Sequence, residues 1–314
     1  MRRDERRKVK SLHSVSVEIF ERYQVRKTKR QKTAFIEYIR AAIPEAAVEE
    51  GGFGGSRNIV VGDVKTAKVV FGAHYDTCAV MPFPNFLTPK NFLIYALYSV
   101  LICIPIFLLA GGVNILLRTL GMGNYAAYWC GLAALWVFVA MMIVGPANRH
   151  TANDNTSGVI ELCEIYFSLA PEEREKAAFV FFDNEEKGLL GSSYFRKVHR
   201  EDMKNKLLIN FDCVSDGGNI MLIFSKSAEN RYLESLKEAF SFDTGSKTIL
   251  FEKAKGTLYP SDQKNFGCSV GVAAFKRGIL GLYMDRIHTP ADTVFDENNI
   301  EIIRKASAEF IKKM

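Results

Sequence analysis

Hydrophobic positions follow three different rhythms along this chain. Between residues 14 and 42 they recur at helical spacing, as in Val17, Phe20, Phe35, Ile36 and Ile39. The basic stretch Arg26 to Lys32 interrupts that pattern, and Pro44 with the glycines at 51, 52, 54 and 55 ends it. Short apolar runs then alternate with amphipathic ones. The runs Asn58–Val61, Lys68–Ala73, Ala177–Phe182, Leu207–Phe211, Ile220–Phe224 and Val270–Phe275 predict strands. The stretches Ser157–Ser168, Leu189–Val198, Ala228–Phe240 and Glu297–Lys313 predict helices. This alternation argues for an α/β protein with a twisted, mainly parallel sheet covered by helices on both faces.

The third rhythm is an unbroken one. Asn91 to Leu117 is a run of 27 uncharged residues, and Tyr125 to Ala147 is another of 23. As helices these reach roughly 40 and 35 Å, and a bilayer core of about 30 Å needs only ~20 residues. The break from Arg118 to Asn124 holds Gly121 and Gly123 and predicts a tight helical hairpin turn. Pro105 inside the first run is tolerated in a membrane helix. Tyr125, Tyr128 and Trp129 suit an interfacial belt at one end. The alternative for these runs is a buried hairpin in the core of a soluble protein.

Composition sharpens the contrast. Over residues 91–148, 43 of 58 positions are hydrophobic and Arg118 is the one charge, so the mean hydropathy of +0.01 averages two unlike parts. The first 40 residues carry 13 Lys and Arg against 5 Asp and Glu, which accounts for the net charge of +6. Lys90 and Arg149 flank the apolar block on the domain side. The positive-inside rule therefore predicts a two-span protein of the cell membrane with its bulk in the cytoplasm. Met1 to Lys10 is charged and no apolar segment follows it, so a secretory signal is not expected. The basic segment could touch anionic lipid. Nucleic-acid binding is not expected, because no recognised nucleic-acid module follows it. Six cysteines without a CxxC pair read as free thiols of a reducing compartment.

Candidate chemistry collects where strands end. Lys68–Ala73 runs into His74-Tyr75-Asp76, and Asn153-Asp154-Asn155 opens a helix. Ala177–Phe182 runs into Asp183-Asn184-Glu185-Glu186, and Leu207–Phe211 ends at Asp212. His288-Thr289-Pro290-Ala291-Asp292 follows a short apolar run. Ligands of open α/β sheets bind beyond the carboxyl ends of strands. Imidazoles and carboxylates in that place are the ligands of a hydrolytic zinc site.

These motifs resemble the co-catalytic di-zinc exopeptidase family of aminopeptidase Y and bacterial leucyl aminopeptidase. The matching stretches are Gly72-Ala73-His74-Tyr75-Asp76-Thr77, Ala152 to Gly158, Phe181 to Ser192, Asn210-Phe211-Asp212 and His288 to Thr293, in the family's order. The resemblance implies a three-layer α/β/α fold with a central twisted, mainly parallel mixed sheet. It implies two zinc ions, with cobalt or manganese as substitutes. His74 and Asp212 would bind one ion, Glu186 and His288 the other, and Asp154 would bridge them. Asp76 would orient His74, and Glu185 would be the general base for a metal-bridging water. A peptide is then the substrate, and an aminopeptidase the expected activity. A carboxypeptidase or other amide hydrolase, or a non-catalytic membrane receptor or scaffold, are the rivals.

Two features depart from the family pattern. Asp76 and Asp154 are usually close in sequence, but here the hairpin fills the gap between them. Arg149-His150-Thr151 stands where small residues are usual, and His150 reads as a flank or substrate contact. Cys78 and Cys213 read as small residues packed behind the site. Pro260-Ser261-Asp262 resembles a family segment near the substrate pocket and stays outside the catalytic set. The expected organisation is a basic helical arm over 1–40, a catalytic domain over 41–85 and 149–314, and an inserted hairpin over 86–148. Six residues from Ala147 to Asp154 span at most about 20 Å, so the site should look toward the membrane surface. The hairpin then either brings membrane-associated peptides to the site or only anchors the enzyme.

Overall fold

The computed structural model describes residues 12–81, 83 and 85–314; the first eleven residues of the expected basic arm, Pro82 and Pro84 lie outside them. Nine strands form one sheet. They are β1 (Ala47–Gly51), β2 (Ser56–Val61), β3 (Val69–His74), β4 (Ala177–Phe182), β5 (Leu207–Phe211), β6 (Asn219–Phe224), β7 (Thr248–Lys253), β8 (Ser269–Gly278) and β9 (Gly281–Tyr283). The spatial order is β1-β2-β4-β3-β5-β8-β6-β7, with β9 pairing β8. The central strands β4, β3, β5 and β8 run parallel. Antiparallel pairs join β1 to β2, β2 to β4, and β6 to β8. Of these, β3, β4 and β5 are buried along their whole length, which suits continuous apolar runs such as Ala177–Phe182.

Two helical layers cover the sheet. Helices α1 (Ser14–Arg22), α2 (Lys29–Ala42), α5 (Gly158–Ser168) and α9 (Glu297–Lys312) place Ile19, Phe35, Ile165 and Ile303 in the main core. Helix α7 (Leu190–Val198) packs Phe195 into a smaller cluster with Phe182 and Phe266. Two further helices are α6 (Pro171–Arg174) and α8 (Lys226–Ala239). The stretch expected as an arm is helical, and its Ile19, Phe20, Phe35, Ile36 and Ile39 are buried in the main core. A full capping box at Thr28 and Gln31 starts α2 inside the basic stretch.

The apolar block forms α3 (Phe92–Thr119) and α4 (Asn124–Val144), both long and apolar enough to cross a membrane. Only Ala127 and Gly131 are buried and most of the other side chains are exposed, which counters the reading as a buried soluble hairpin. Their contact uses small residues: a Cβ on Gly131 would stand 2.6 Å from the Ala110 carbonyl oxygen. Both ends of the hairpin are stitched to the domain. Val80 N–H donates to Pro146 O at 2.9 Å, and Asn148 N–H to Cys78 O at 3.1 Å. On the other side Leu87 and Met284 exchange backbone hydrogen bonds of 2.8 and 2.9 Å.

Candidate metal centre

The seven side chains singled out from sequence converge at the carboxyl ends of β3, β4 and β5. His74 closes β3, and its Nε2 lies 3.4 Å from Asp154 Oδ1 and 3.5 Å from Asp212 Oδ1. His288 Nε2 lies 2.9 Å from Asp154 Oδ2 and 3.4 Å from Glu186 Oε2. The two oxygens of Asp154 thus face two different imidazoles. Three overlapping donor groups result among the described residues: His74 with Glu185 and Asp212, Asp154 with Glu186, His288 and Cys78, and Asp154 with Asp212 and Cys213.

The backbone around these groups is tightly specified. Asn155 Nδ2 donates to the carbonyls of His74 and Phe211, while its Oδ1 accepts from Cys213 N and Gly158 N. One buried amide therefore ties three ligand-bearing segments together. Asp292 accepts from the backbone N–H groups of Asn153 and Asp154 at 2.8 and 2.9 Å, which aims the Asp154 side chain. The loop after β4 holds Glu185 and Glu186. Asn184, Gly188 and Leu189 all take left-handed backbone conformations there. Gly191 is required at its end, since a Cβ would stand 2.1 Å from the Asp183 carbonyl oxygen.

Asp76 lies beside His74. Its carboxylate oxygen is 3.7 Å from His74 Nδ1, whereas its backbone carbonyl is at 3.1 Å. An Nδ1–H facing that carbonyl leaves Nε2 as the free donor toward Asp154 and Asp212. The Asp76 carboxylate instead accepts from Glu185 N at 2.9 Å and Glu186 N at 3.3 Å. It positions the Glu185–Glu186 pair directly and His74 through the main chain.

Electrostatics mark the cluster as unbalanced on its own. Burial pushes Glu186 up to about 7 against the pull of His288. Burial also raises Glu185, with Glu186 and Asp262 adding to it and His74 opposing. Burial pulls His288 down, but Glu186 and Asp154 more than reverse this and raise it to about 9. Asp154 is held below its ordinary range by His288 and His74, despite burial. Glu186 Oε1 is buried with no hydrogen-bond partner. Such an orphaned oxygen costs about 1–3 kcal/mol or more when charged. A divalent cation among these donors removes both conflicts, so the residues fit a zinc site of carboxylates and imidazoles.

Two supporting residues, Arg26 and Lys32, were not legible from sequence. Arg26 is fully buried and donates to the carbonyls of Tyr75 and Tyr23 and to Thr156 Oγ1 at 3.2 Å. Burial lowers its pKa to about 10, while Asp76 and Asp154 pull the other way. Lys32 is buried against Asp183 and donates to Asn184 Oδ1 at 2.8 Å, bracing the loop before Glu185. Asp262 is buried near the centre with its carboxylate pushed up to about 7 by burial, against His74. Cys213 is buried as expected, its Sγ donating to Asp212 Oδ1 at 3.1 Å. Cys78 is also buried, but its sulfur belongs to the donor group of Asp154 and His288. His150 is exposed and outside all three donor groups. A cavity of about 180 Å³ opens over the centre, lined by His74, Asp154, Glu185, Asp212 and His288 on one side. Leu87, Tyr95, Tyr259 and Ile287 form its apolar wall.

A sheet of this order with paired imidazoles and carboxylates beyond its parallel strands defines a metallohydrolase. The sequence profile of peptidase family M28 matches residues 138–311, and the chain belongs to that family of zinc-dependent peptidases. His74 and Asp76 precede the matched stretch, across the hairpin. Among solved structures, the LapA aminopeptidase of Legionella pneumophila superposes with a TM-score of 0.55 at 13% identity, covering 100% of this chain and 73% of LapA. A Zn-dependent exopeptidase from Parabacteroides distasonis gives 0.58 at 14%, covering 96% and 97%. The glutaminyl cyclase of Porphyromonas gingivalis gives 0.58 at 17%, covering 96% and 99%. At these identities the likeness is one of fold. No curated protein sequence matches the chain.

Proposed function

We propose that this chain is a membrane-anchored di-zinc exopeptidase that removes amino-terminal residues from peptides, with its catalytic domain on the cytoplasmic side. Asp154 carries the two-metal reading, because its two oxygens address His74 and His288 separately. His74 and Asp212 are assigned to one ion, Glu186 and His288 to the other, and Asp154 to both. Zinc held there supplies a Lewis acid that polarises the scissile carbonyl and lowers the pKa of water. Glu185, half-buried and raised in pKa by desolvation, takes the proton from the attacking water and returns it to the leaving amine. Asp76 holds that base in place through the Glu185 N–H. The domain boundaries follow from this: catalytic residues 41–85 and 149–314, an insertion over 86–148, and residues 12–40 packed on the same core.

The cavity favours a free amino terminus over a free carboxyl terminus. A terminal carboxylate needs an Arg or Lys partner, and none lines the cavity among the described residues. The names of the Legionella aminopeptidase and the Parabacteroides exopeptidase support the same reading. Membrane anchoring rests on α3 and α4, whose large apolar side chains are mostly exposed.

Digestion of a peptide library by the full chain in detergent, read by mass spectrometry, tests the proposal. Stepwise loss of residues from free amino termini, abolished by acetylation, is the expected result. Trimming from carboxyl ends overturns the aminopeptidase assignment. Cyclisation of amino-terminal glutamine without peptide cleavage overturns the peptidase reading itself.

A further inference from the structure

The two-residue turn between β8 and β9 has an unusual composition. Gly278 pairs with Gly281, so Ile279 and Leu280 form the tip of the hairpin. Tight hairpin turns are ordinarily built from Asn, Asp and Gly. Here Ile279 is fully exposed and Leu280 about half exposed, with exposed Arg277 just before them. A single exposed apolar residue needs no explanation, but an apolar turn tip without a covering element does.

The place of this turn supplies the explanation. Asn91, which caps α3, donates from Nδ2 to Leu280 O at 3.4 Å. Phe92 and Leu93, in the first turn of α3, are exposed. Phe86 bridges the two elements, its ring 5.5 Å from Tyr98 of α3 and 5.5 Å from Tyr283 of β9. The turn, an aromatic cluster and the base of a candidate membrane helix thus form one surface. Aromatic rings and cations beside aliphatic tips are the composition of a membrane–water interface.

We propose that the β8–β9 turn is a third membrane contact, in which Ile279 and Leu280 enter the lipid interface beside α3 and Arg277 meets headgroup phosphates. The proposal rests on the membrane reading of α3 and α4. Its consequence is orientational. Two adjacent spans form one narrow support, and a contact to one side of them fixes the tilt of the domain. Leu87, next to this surface, and Tyr95 of α3 both line the catalytic cavity. The tilt therefore presents the cavity's apolar wall to the bilayer surface, the side from which a membrane-lying peptide arrives.

The test uses the full chain reconstituted into vesicles of phosphatidylcholine and phosphatidylglycerol. An environment-sensitive fluorescent amino acid is placed singly at position 279, at 107 within α3, or at 65. Position 65 is an exposed site in the loop before β3, at the opposite end of that strand from His74. The expected result is blue-shifted emission at 279 that is quenched by lipids spin-labelled near the headgroup, with water-like emission at 65. Emission at 279 matching that at 65, with 107 shielded, overturns the third contact and leaves the membrane reading intact. A shielded 279 that no lipid quencher reaches assigns the turn to a protein partner and also overturns it. Water-like emission at 107 overturns the membrane reading and the proposal with it.

Discussion

Replacing Asp76 by Asn separates two roles for this carboxylate. In the structure Asp76 accepts from Glu185 N at 2.9 Å and Glu186 N at 3.3 Å, and His74 Nδ1 faces the backbone carbonyl, which D76N keeps. Asn can still accept from Glu185 N, but its amide group then points at Glu186 N–H, donor against donor. Loss of one hydrogen bond to a charged acceptor is worth about 1.5–3 kcal/mol. Expressed at the base, that is roughly a 10- to 100-fold fall in kcat, the range typical of groups behind metal ligands. His74 keeps its tautomer, so zinc content should stay at the wild-type level. The assay is kcat on a soluble peptide alongside zinc content of the same preparation. The double variant D76N/E185Q should be no slower than E185Q alone, because Asp76 acts through Glu185. Wild-type kcat in D76N refutes the reasoning. Zinc loss that fully accounts for the fall in activity refutes it as well, by returning Asp76 to His74.

Other expectations follow from the same contacts. E185Q should keep its zinc and lose about 10²–10⁴-fold in kcat, and retained activity would remove Glu185 as the base. K32M strands the buried Asp183 charge and should cost about 3–5 kcal/mol in denaturant unfolding, whereas a loss under roughly 1 kcal/mol contradicts the buried pair. Glu161 lies buried in α5 with neither carboxylate oxygen hydrogen-bonded, and burial with neighbouring Glu164 raises its pKa well above 4.5. The folded chain then holds a proton that the unfolded chain releases above that pH, so Glu161 lowers stability increasingly as pH rises. E161Q should match the wild-type melting temperature near pH 4 and exceed it at pH 8; equal shifts at both values would contradict this.

The parts of the fold that could be read from sequence are those where chemistry and pattern coincide. Buried parallel strands are continuous apolar runs, and each one carrying a ligand ends in a polar cluster, so β3, β4 and β5 were visible with His74, Glu185 and Asp212 at their ends. Strands β1 and β7 were not, because they lie at the sheet's edges and their half-buried sequences, AVEEG and TILFEK, lack a continuous apolar run. The roles within the basic stretch were hidden for a different reason. From Arg26 to Lys32 the sequence shows only charges that interrupt a helical pattern, yet Arg26 points into the core and Lys32 into the loop before Glu185. Their partners, Tyr75, Thr156, Asp183 and Asn184, are between 49 and 152 residues away, so only the fold reveals them. The aspartate that braces Asp154, Asp292, stood inside a recognised motif with no role attached; its two backbone hydrogen bonds supply one.

The most direct test of the account is the zinc content of the full chain, purified in detergent and measured by inductively coupled plasma mass spectrometry after equilibration with zinc. The arrangement around Asp154 predicts two zinc ions per chain. A content of one ion, or of none, contradicts the two-metal centre.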